Sequence, residues 1–166
     1  MRRKTGIAVG ILVLVVATSA IAAEAGKMAP GFSLADAKGA SVELSGYKGK
    51  VVLLNFWATT CGGCKIEIPW FMEFAKKYKS RGLAVIGVAL DEDGWKAVKP
   101  FVKAKKMNYT VVVGGDGLAK LYGVESTPAT FLIGRDGRIV RTDMGRLVDR
   151  AECEREIRRL LGAKGE

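Results

Sequence analysis

Histidine is absent from all 166 residues. That excludes imidazole general-base catalysis, most zinc, copper and haem ligation, and the C-x-x-C-H signal for haem attachment. Cysteine occurs only three times, an odd number, at Cys61, Cys64 and Cys153. No basic patch interleaved with aromatics argues for nucleic acid. There is no internal repeat and no low-complexity segment. What remains is one domain by length, with 49% apolar residues, enough for a core. Thiols, carboxylates and lysines must carry whatever chemistry it performs.

The net charge is +10. The excess is spread along the chain, at 76–77, 103–106 and 155–159. A solvated surface is the default explanation, and attraction to anionic lipid or acidic partners the second. The first 23 residues stand apart. Arg2, Arg3 and Lys4 form a positive start, and the next 19 residues carry no charge. A helix of that length is about 28 Å long against a hydrocarbon core of about 30 Å. The same stretch ends in small residues, and Ala20-Ile21-Ala22 fits an A-x-A cleavage pattern. Residues 1–23 therefore read as a signal peptide or an N-terminal membrane anchor. Either way the basic start stays in the cytoplasm and the rest is exported. Residues 24–30 read as a linker and 31–164 as the domain.

Within that domain, 32–34 and 41–44 read as two short strands joined at Lys38-Gly39, a hairpin. Residues 51–57, VVLLNFW, form a continuous apolar run, as expected of a strand buried on both faces. A helix follows over 61–79, ended by Gly82, then a second buried strand over 83–90. Residues 95–106 read as a helix with Pro100 inside it. A short strand (110–113), a helical turn (118–122) and a strand (129–133) come next. Asp136-Gly137 makes a tight turn into another strand over 139–142, and 148–161 is a closing helix. The order predicts an α/β fold, a mixed sheet with helices on both faces.

The stretch 57–69 reads WATTCGGCKIEIP. Cys61 and Cys64 could be a redox couple, half of a metal site or a structural staple. One C-x-x-C supplies two of the four ligands zinc needs. A disulfide across two residues closes so small a loop that it constrains the unfolded chain little. Redox use is favoured by placement. The pair follows a buried strand and opens a helix, where unpaired N–H groups and a positive dipole favour a thiolate. Cys61, at the mouth, is expected to be the attacking nucleophile, and Cys64, one turn in, the buried resolving thiol. An exported setting permits such a pair to cycle between dithiol and disulfide.

Glu67 falls on the helical stripe of Cys64, Phe71, Phe74 and Tyr78. Facing inward, its carboxyl is desolvated, its pKa is raised, and it can shuttle the proton of the resolving thiol. Facing outward, it is an ordinary acid near a helix start; Pro69 blurs the phasing. Asn55 is a polar residue inside VVLLNFW, ordinarily satisfied by hydrogen bonds in the sheet. Pro128 precedes the strand ATFLI, and nothing in the sequence itself makes the Thr127–Pro128 bond cis.

The segment around WATTCGGCKIEIP resembles the thioredoxin-like superfamily, and within it the TlpA/ResA group of membrane-anchored extracytoplasmic thiol–disulfide oxidoreductases. GFSLADAKGASVELSGYKGKVVLLNFWATTC, VIGVALDED and LYGVESTPATFLIGRDGRIV carry the likeness further. The resemblance implies a thioredoxin-like mixed sheet with an N-terminal β-hairpin extension. It makes Cys61 and Cys64 the redox disulfide, and Pro128 the cis-proline facing them. Thr127 offers backbone groups to a substrate strand, and Trp57 and Thr60 belong to the substrate face. Pro69 matches the kink proline. Glu67 matches the glutamate of C-x-x-C-x-x-E-x-P, and Asn55 stands where thioredoxin keeps a buried acid. Two departures are visible. Thr60 stands where the group usually has Trp, and Gly62-Gly63 where it commonly has a proline; the pair adds flexibility at the helix start. Cys153 shares an apolar helical face with Ile157, Leu160 and Leu161, and reads as a small buried hydrophobe.

The expected function is an exported reductase of protein disulfides, in the periplasm or on the outer face of the cytoplasmic membrane. The resemblance implies re-reduction by a membrane thiol-transfer protein of the DsbD/CcdA kind, and allows apocytochrome c before haem attachment as a substrate. No cofactor, metal or nucleic acid is expected, membrane contact comes only through the N-terminal segment, and the chain is taken as a monomer. A peroxiredoxin shares the fold, but its peroxidatic loop needs Thr where Ala58 stands. A non-enzymatic metal- or partner-binding module is the remaining alternative.

Overall fold

A computed structural model of the chain describes residues 23–162. The signal or anchor expected over 1–23 lies almost wholly outside them. Among the described residues no helix is long and apolar enough to cross a membrane.

β1 (Ser33–Ala35) and β2 (Ser41–Glu43) form the expected antiparallel hairpin. Its turn is closed by Asp36, whose carboxylate accepts from the N–H groups of Lys38 and Ala40, an Asx arrangement that holds a turn without help from the sheet. A 3₁₀ turn over Leu44–Tyr47 leads into β3 (Val51–Trp57). All seven residues of β3 are buried, as expected of an apolar run broken only by Asn55. Then come α1 (Gly62–Tyr78), β4 (Leu83–Ala89), α2 (Trp95–Lys105), β5 (Thr110–Val113), α3 (Asp116–Leu121), β6 (Ala129–Ile133), β7 (Ile139–Met144) and α4 (Arg150–Leu160). Gly82, at φ +99°, closes the turn between α1 and β4, a left-handed conformation that costs glycine little.

The main sheet has the order β5-β4-β3-β6-β7. β3 pairs parallel with β4 and antiparallel with β6. β3, buried along all seven residues, is therefore central and shielded on both edges. One face carries Leu54, Phe56, Ile86, Phe131 and Tyr122, under α3 and the hairpin. The other carries Leu53, Val85 and Leu132 against Phe71, Phe74 and Ile157 of α1 and α4. Trp57, Cys64 and Ile68 continue that second face toward α2. This is the thioredoxin-like fold the sequence implied. Each large side chain sealed here contributes about 1.5–3 kcal/mol of burial.

Residues 24–29 do more than link. Gly26 donates to the Ile139 carbonyl, Ile139 to that of Lys27, and Ala29 to that of Gly137. This segment is stitched to the sheet where β7 begins, because that edge strand has free backbone groups to satisfy.

Candidate active site

β3 ends at Trp57, and the chain must turn before α1 begins. Trp57 pairs with Ala89 across the β3–β4 ladder. Two residues beyond each strand end, Thr59 and Asp91 therefore meet. The Asp91 carboxylate accepts from the Thr59 N–H, 3.1 Å from each oxygen, and from the Thr59 hydroxyl. That fastens the turn presenting Cys61. The sequence reading missed this pair. The signal was there in two polar residues at equal distance past neighbouring parallel strands.

Cys61 is the N-cap of α1, and its Sγ accepts from the Cys64 N–H at 3.1 Å. The two sulfurs form a disulfide, with Cα atoms 5.3 Å apart. Cys61 is half-buried and Cys64 is 1% exposed. In the dithiol, the same N–H and the helix terminus favour negative charge on Cys61 over Cys64.

Of the two orientations open to Glu67, the structure has the inward one. Its side chain is fully buried, on a face with Cys64, Phe71, Phe74 and Tyr78. The Val148 N–H donates to Oε1 at 2.7 Å, while Oε2 is buried without a partner. Desolvation pushes the carboxyl up to about 7; the Val148 bond opposes this, and the nearby charge of Asp143 adds to it. Pro69 lies inside α1 without ending it.

Beneath Glu67 a polar row crosses the sheet. Asn55 Nδ2 donates to Thr130 Oγ1 at 3.0 Å, and Thr130 pairs with Asp143 on β7. Buried Asp143 holds Arg141 through both oxygens, at 2.6 and 3.0 Å, and Arg146 at 2.9 Å. Asn55 is not fully satisfied, since its Oδ1 has no partner.

The Thr127–Pro128 peptide is cis, and the Pro128 ring faces Gly63: a Cβ at Gly63 lies 3.3 Å from Pro128 Cδ and 3.2 Å from Leu147 Cδ2. Pro128 is buried, Thr127 half-buried, and the ladder to β3 and β7 starts one residue later, at Ala129. Thr60 is exposed beside the disulfide. Trp57 needs correction. Assigned to the substrate face, it is 0% exposed, with its ring 5.3 Å from Phe101, so it backs the disulfide and touches no substrate. Gly87 leaves the space its indole fills, a Cβ there lying 2.8 Å from Trp57 Nε1.

The loop 145–148 was also missed. The Gly145 N–H donates to the Pro128 carbonyl at 2.9 Å, Arg146 pairs with Asp143, Leu147 lies over Gly63, and Val148 bonds Glu67. Most of these ties are backbone or contact geometry, which leaves no residue-type signature. Cys153 is 2% exposed, and burial pushes its thiol up to about 12. Among the described residues no cluster of three or more potential ligands could hold a metal ion.

The AhpC/TSA family matches residues 25–142. The thiol-disulfide oxidoreductase ResA of Bacillus thuringiensis subsp. konkukian is 41% identical over 123 residues, 74% of this chain and 70% of that protein. ResA of Bacillus subtilis strain 168 is 38% identical over 125 residues, 75% and 69% of the two chains. Among solved structures, a Chlorobium tepidum protein described as the thiol:disulfide interchange protein DsbE superposes with a TM-score of 0.78 at 35% identity. The match covers 84% of this chain and 99% of that one.

Proposed function

Since the chain belongs to the AhpC/TSA family and within it to the ResA-like thiol–disulfide oxidoreductases, we propose that it reduces disulfides of exported proteins through Cys61 and Cys64. The observation that carries this is the Cys61–Cys64 disulfide at the mouth of α1, with Glu67 buried one turn behind it. In the dithiol, the Cys61 thiolate attacks one sulfur of a substrate disulfide. A mixed disulfide forms and the other substrate sulfur leaves as a thiolate. Cys64 gives its proton to the Glu67 carboxylate and attacks Cys61 Sγ. The Cys61–Cys64 bond forms, the second substrate sulfur departs, and the Glu67 proton passes to a departing thiolate. Two electrons move from the dithiol to the substrate.

A carboxyl near 7 suits that role, because it is half ionised at neutral pH and can both take and return a proton. Thr127 and Pro128 receive the substrate backbone beside the disulfide, with Thr60 at the rim. The basic start and uncharged run of residues 1–23 support export, with the domain in the periplasm or at the outer face of the cytoplasmic membrane. There a membrane thiol donor of the DsbD/CcdA kind returns the electrons, and apocytochrome c is a fitting substrate.

Insulin reduction tests the mechanism. Wild type is expected to precipitate insulin chains, Cys61→Ser not, and Cys64→Ser to accumulate the mixed disulfide; full activity in Cys61→Ser rejects it. Equilibration with glutathione or dithiothreitol fixes the direction. A strongly reducing couple supports a reductase, and one near the potential of an oxidant reverses the assignment.

A further inference from the structure

The sheet has two ends, and only one carries the disulfide. β3 and β4 start at the opposite end, where β6 finishes and β7 begins. Lys48 and Lys50 precede β3, Arg81 precedes β4, and Arg135 and Arg138 sit in the β6–β7 turn. The Arg135 guanidinium donates to the carbonyls of Gly49 and Arg81, which shows how closely these segments gather. Lys27 joins them through the backbone bond between its carbonyl and Ile139. All six cations are exposed, and the acids among them are Glu24, Glu43 and Asp136, the last 3.8 Å from Arg138.

This end is also apolar in its middle. A cleft of about 270 Å³ is floored by Leu44, Val52 and Ile133 and bordered by Tyr47, Lys48 and Lys50. Met28 lines it and is 56% exposed, more than any other large apolar side chain among the described residues. The segment that follows the uncharged run of residues 5–23 also lies at this end, where the Gly26 N–H donates to the Ile139 carbonyl.

A ring of cations around an exposed thioether and an aromatic ring is the pattern of an interfacial contact, where charges meet lipid phosphates and apolar groups enter the acyl boundary. We propose that this basic end is a docking face for an anionic lipid surface. β3 then acts as a spacer. Seven residues at about 3.3 Å each put the disulfide roughly 23 Å further from the lipid than Lys50, turned toward soluble substrates. The inference rests on the export reading only for which membrane is met; it is independent of the redox chemistry.

The test uses the full chain in vesicles of phosphatidylcholine, with or without phosphatidylglycerol. The same N-terminal segment is present with both lipids, so any difference between them reads the domain. Amide exchange over 44–50 and 134–138 is expected to slow severalfold only with phosphatidylglycerol, and to recover at high salt. Exchange over 58–64 stays unchanged. Lys27→Glu/Lys48→Glu/Lys50→Glu is expected to abolish the slowing, at about fivefold in affinity per cation lost, while reducing insulin in solution at the wild-type rate. Equal exchange on both vesicles, or slowing that salt does not reverse, overturns the proposal and leaves the face to an acidic protein partner. Loss of insulin reduction in wild type instead rejects the redox reading and leaves this one standing.

Discussion

Two helices of this molecule carry a cysteine at their N-terminal end, and their sulfurs have opposite fates. In α1 the cap position is Cys61 itself, half-exposed, with its sulfur accepting the Cys64 N–H. In α4 the cap is Asp149, whose carboxylate accepts from the Glu152 N–H at 2.7 Å. Cys153 lies one residue further in and points into the core beside Phe71, Phe74 and Ile157. Burial lifts its thiol to about 12, and the Arg141 charge offsets that only in part. A helix terminus is therefore not enough to make a reactive thiol. The sulfur must occupy the cap and keep contact with water.

The strongest way to break this comparison is to exchange the sulfurs' roles. Cys61→Ser is expected to remove insulin reduction down to background, and Cys153→Ser to leave the rate within about twofold, since buried thiols are inert. In the reduced protein, iodoacetamide at neutral pH labels Cys61 and spares Cys153 until denaturant is added. Labelling of native Cys153 at a comparable rate ends the distinction.

The next effect concerns the buried acid beside one sulfur but not the other. Glu67→Gln is expected to slow disulfide exchange by about 10²-fold and to remove the inflection near pH 7 from the rate profile. It also changes stability. The unfolded carboxyl ionises near 4.5 and the folded one near 7, so between those values the folded state holds more protons. Wild-type stability therefore falls as pH rises from about 4.5 through 7, by roughly 2–3 kcal/mol. Urea unfolding of the oxidised protein at pH 5 and pH 8 measures this. Glu67→Gln is expected to show little change between the two, and a matching loss in the variant removes Glu67 as its cause.

How much of this was legible follows from which features have a side-chain period. The seven-residue run of β3, the hairpin turn at Lys38-Gly39 and the Asp136-Gly137 turn all stood at their expected places, because apolar runs and turn residues are local signals. The inward stripe through Glu67 was legible only as one of two phases. What chose between them is the loop 145–148, whose Val148 N–H arrives from 81 residues away. A backbone donor has no composition, and no pattern announces it. Trp57 was misplaced for a related reason. An aromatic beside a C-x-x-C looks like substrate surface, whereas Gly87 on the neighbouring strand gives its indole room inside. Neighbouring-strand register is a tertiary fact that a single run of residues does not contain.

A smaller effect tests how the turn before α1 is held. α4 caps itself with Asp149, but the turn presenting Cys61 borrows its carboxylate from Asp91, two residues past the end of β4. Asp91→Ala leaves the Thr59 N–H and hydroxyl without that partner, and is expected to cost about 1–2 kcal/mol in thermal unfolding, with insulin reduction slowed severalfold. Unchanged stability and rate together show that Thr59 finds water as good a partner.

The smallest effect lies in the two glycines that α1 has and the first turn of α4 lacks. Glycine in a helix costs roughly 0.5–1 kcal/mol relative to alanine. At Gly62 a Cβ meets nothing within 4 Å, so Gly62→Ala is expected to recover much of that cost and raise the melting temperature by a few degrees. At Gly63 the added methyl lies 3.2 Å from Leu147 Cδ2 and 3.3 Å from Pro128 Cδ. Leu147 is 40% exposed and can swing aside, but the buried Pro128 ring is held directly before β6. Gly63→Ala is therefore expected to gain nothing in stability, and to lift Leu147 away from the disulfide. The rate on insulin reads that displacement, and the melting temperatures of the two variants read the difference between an open methyl and a crowded one. Equal melting temperatures for the two would mean that the loop carrying Leu147 does not press on α1, and that Val148 alone ties it to Glu67.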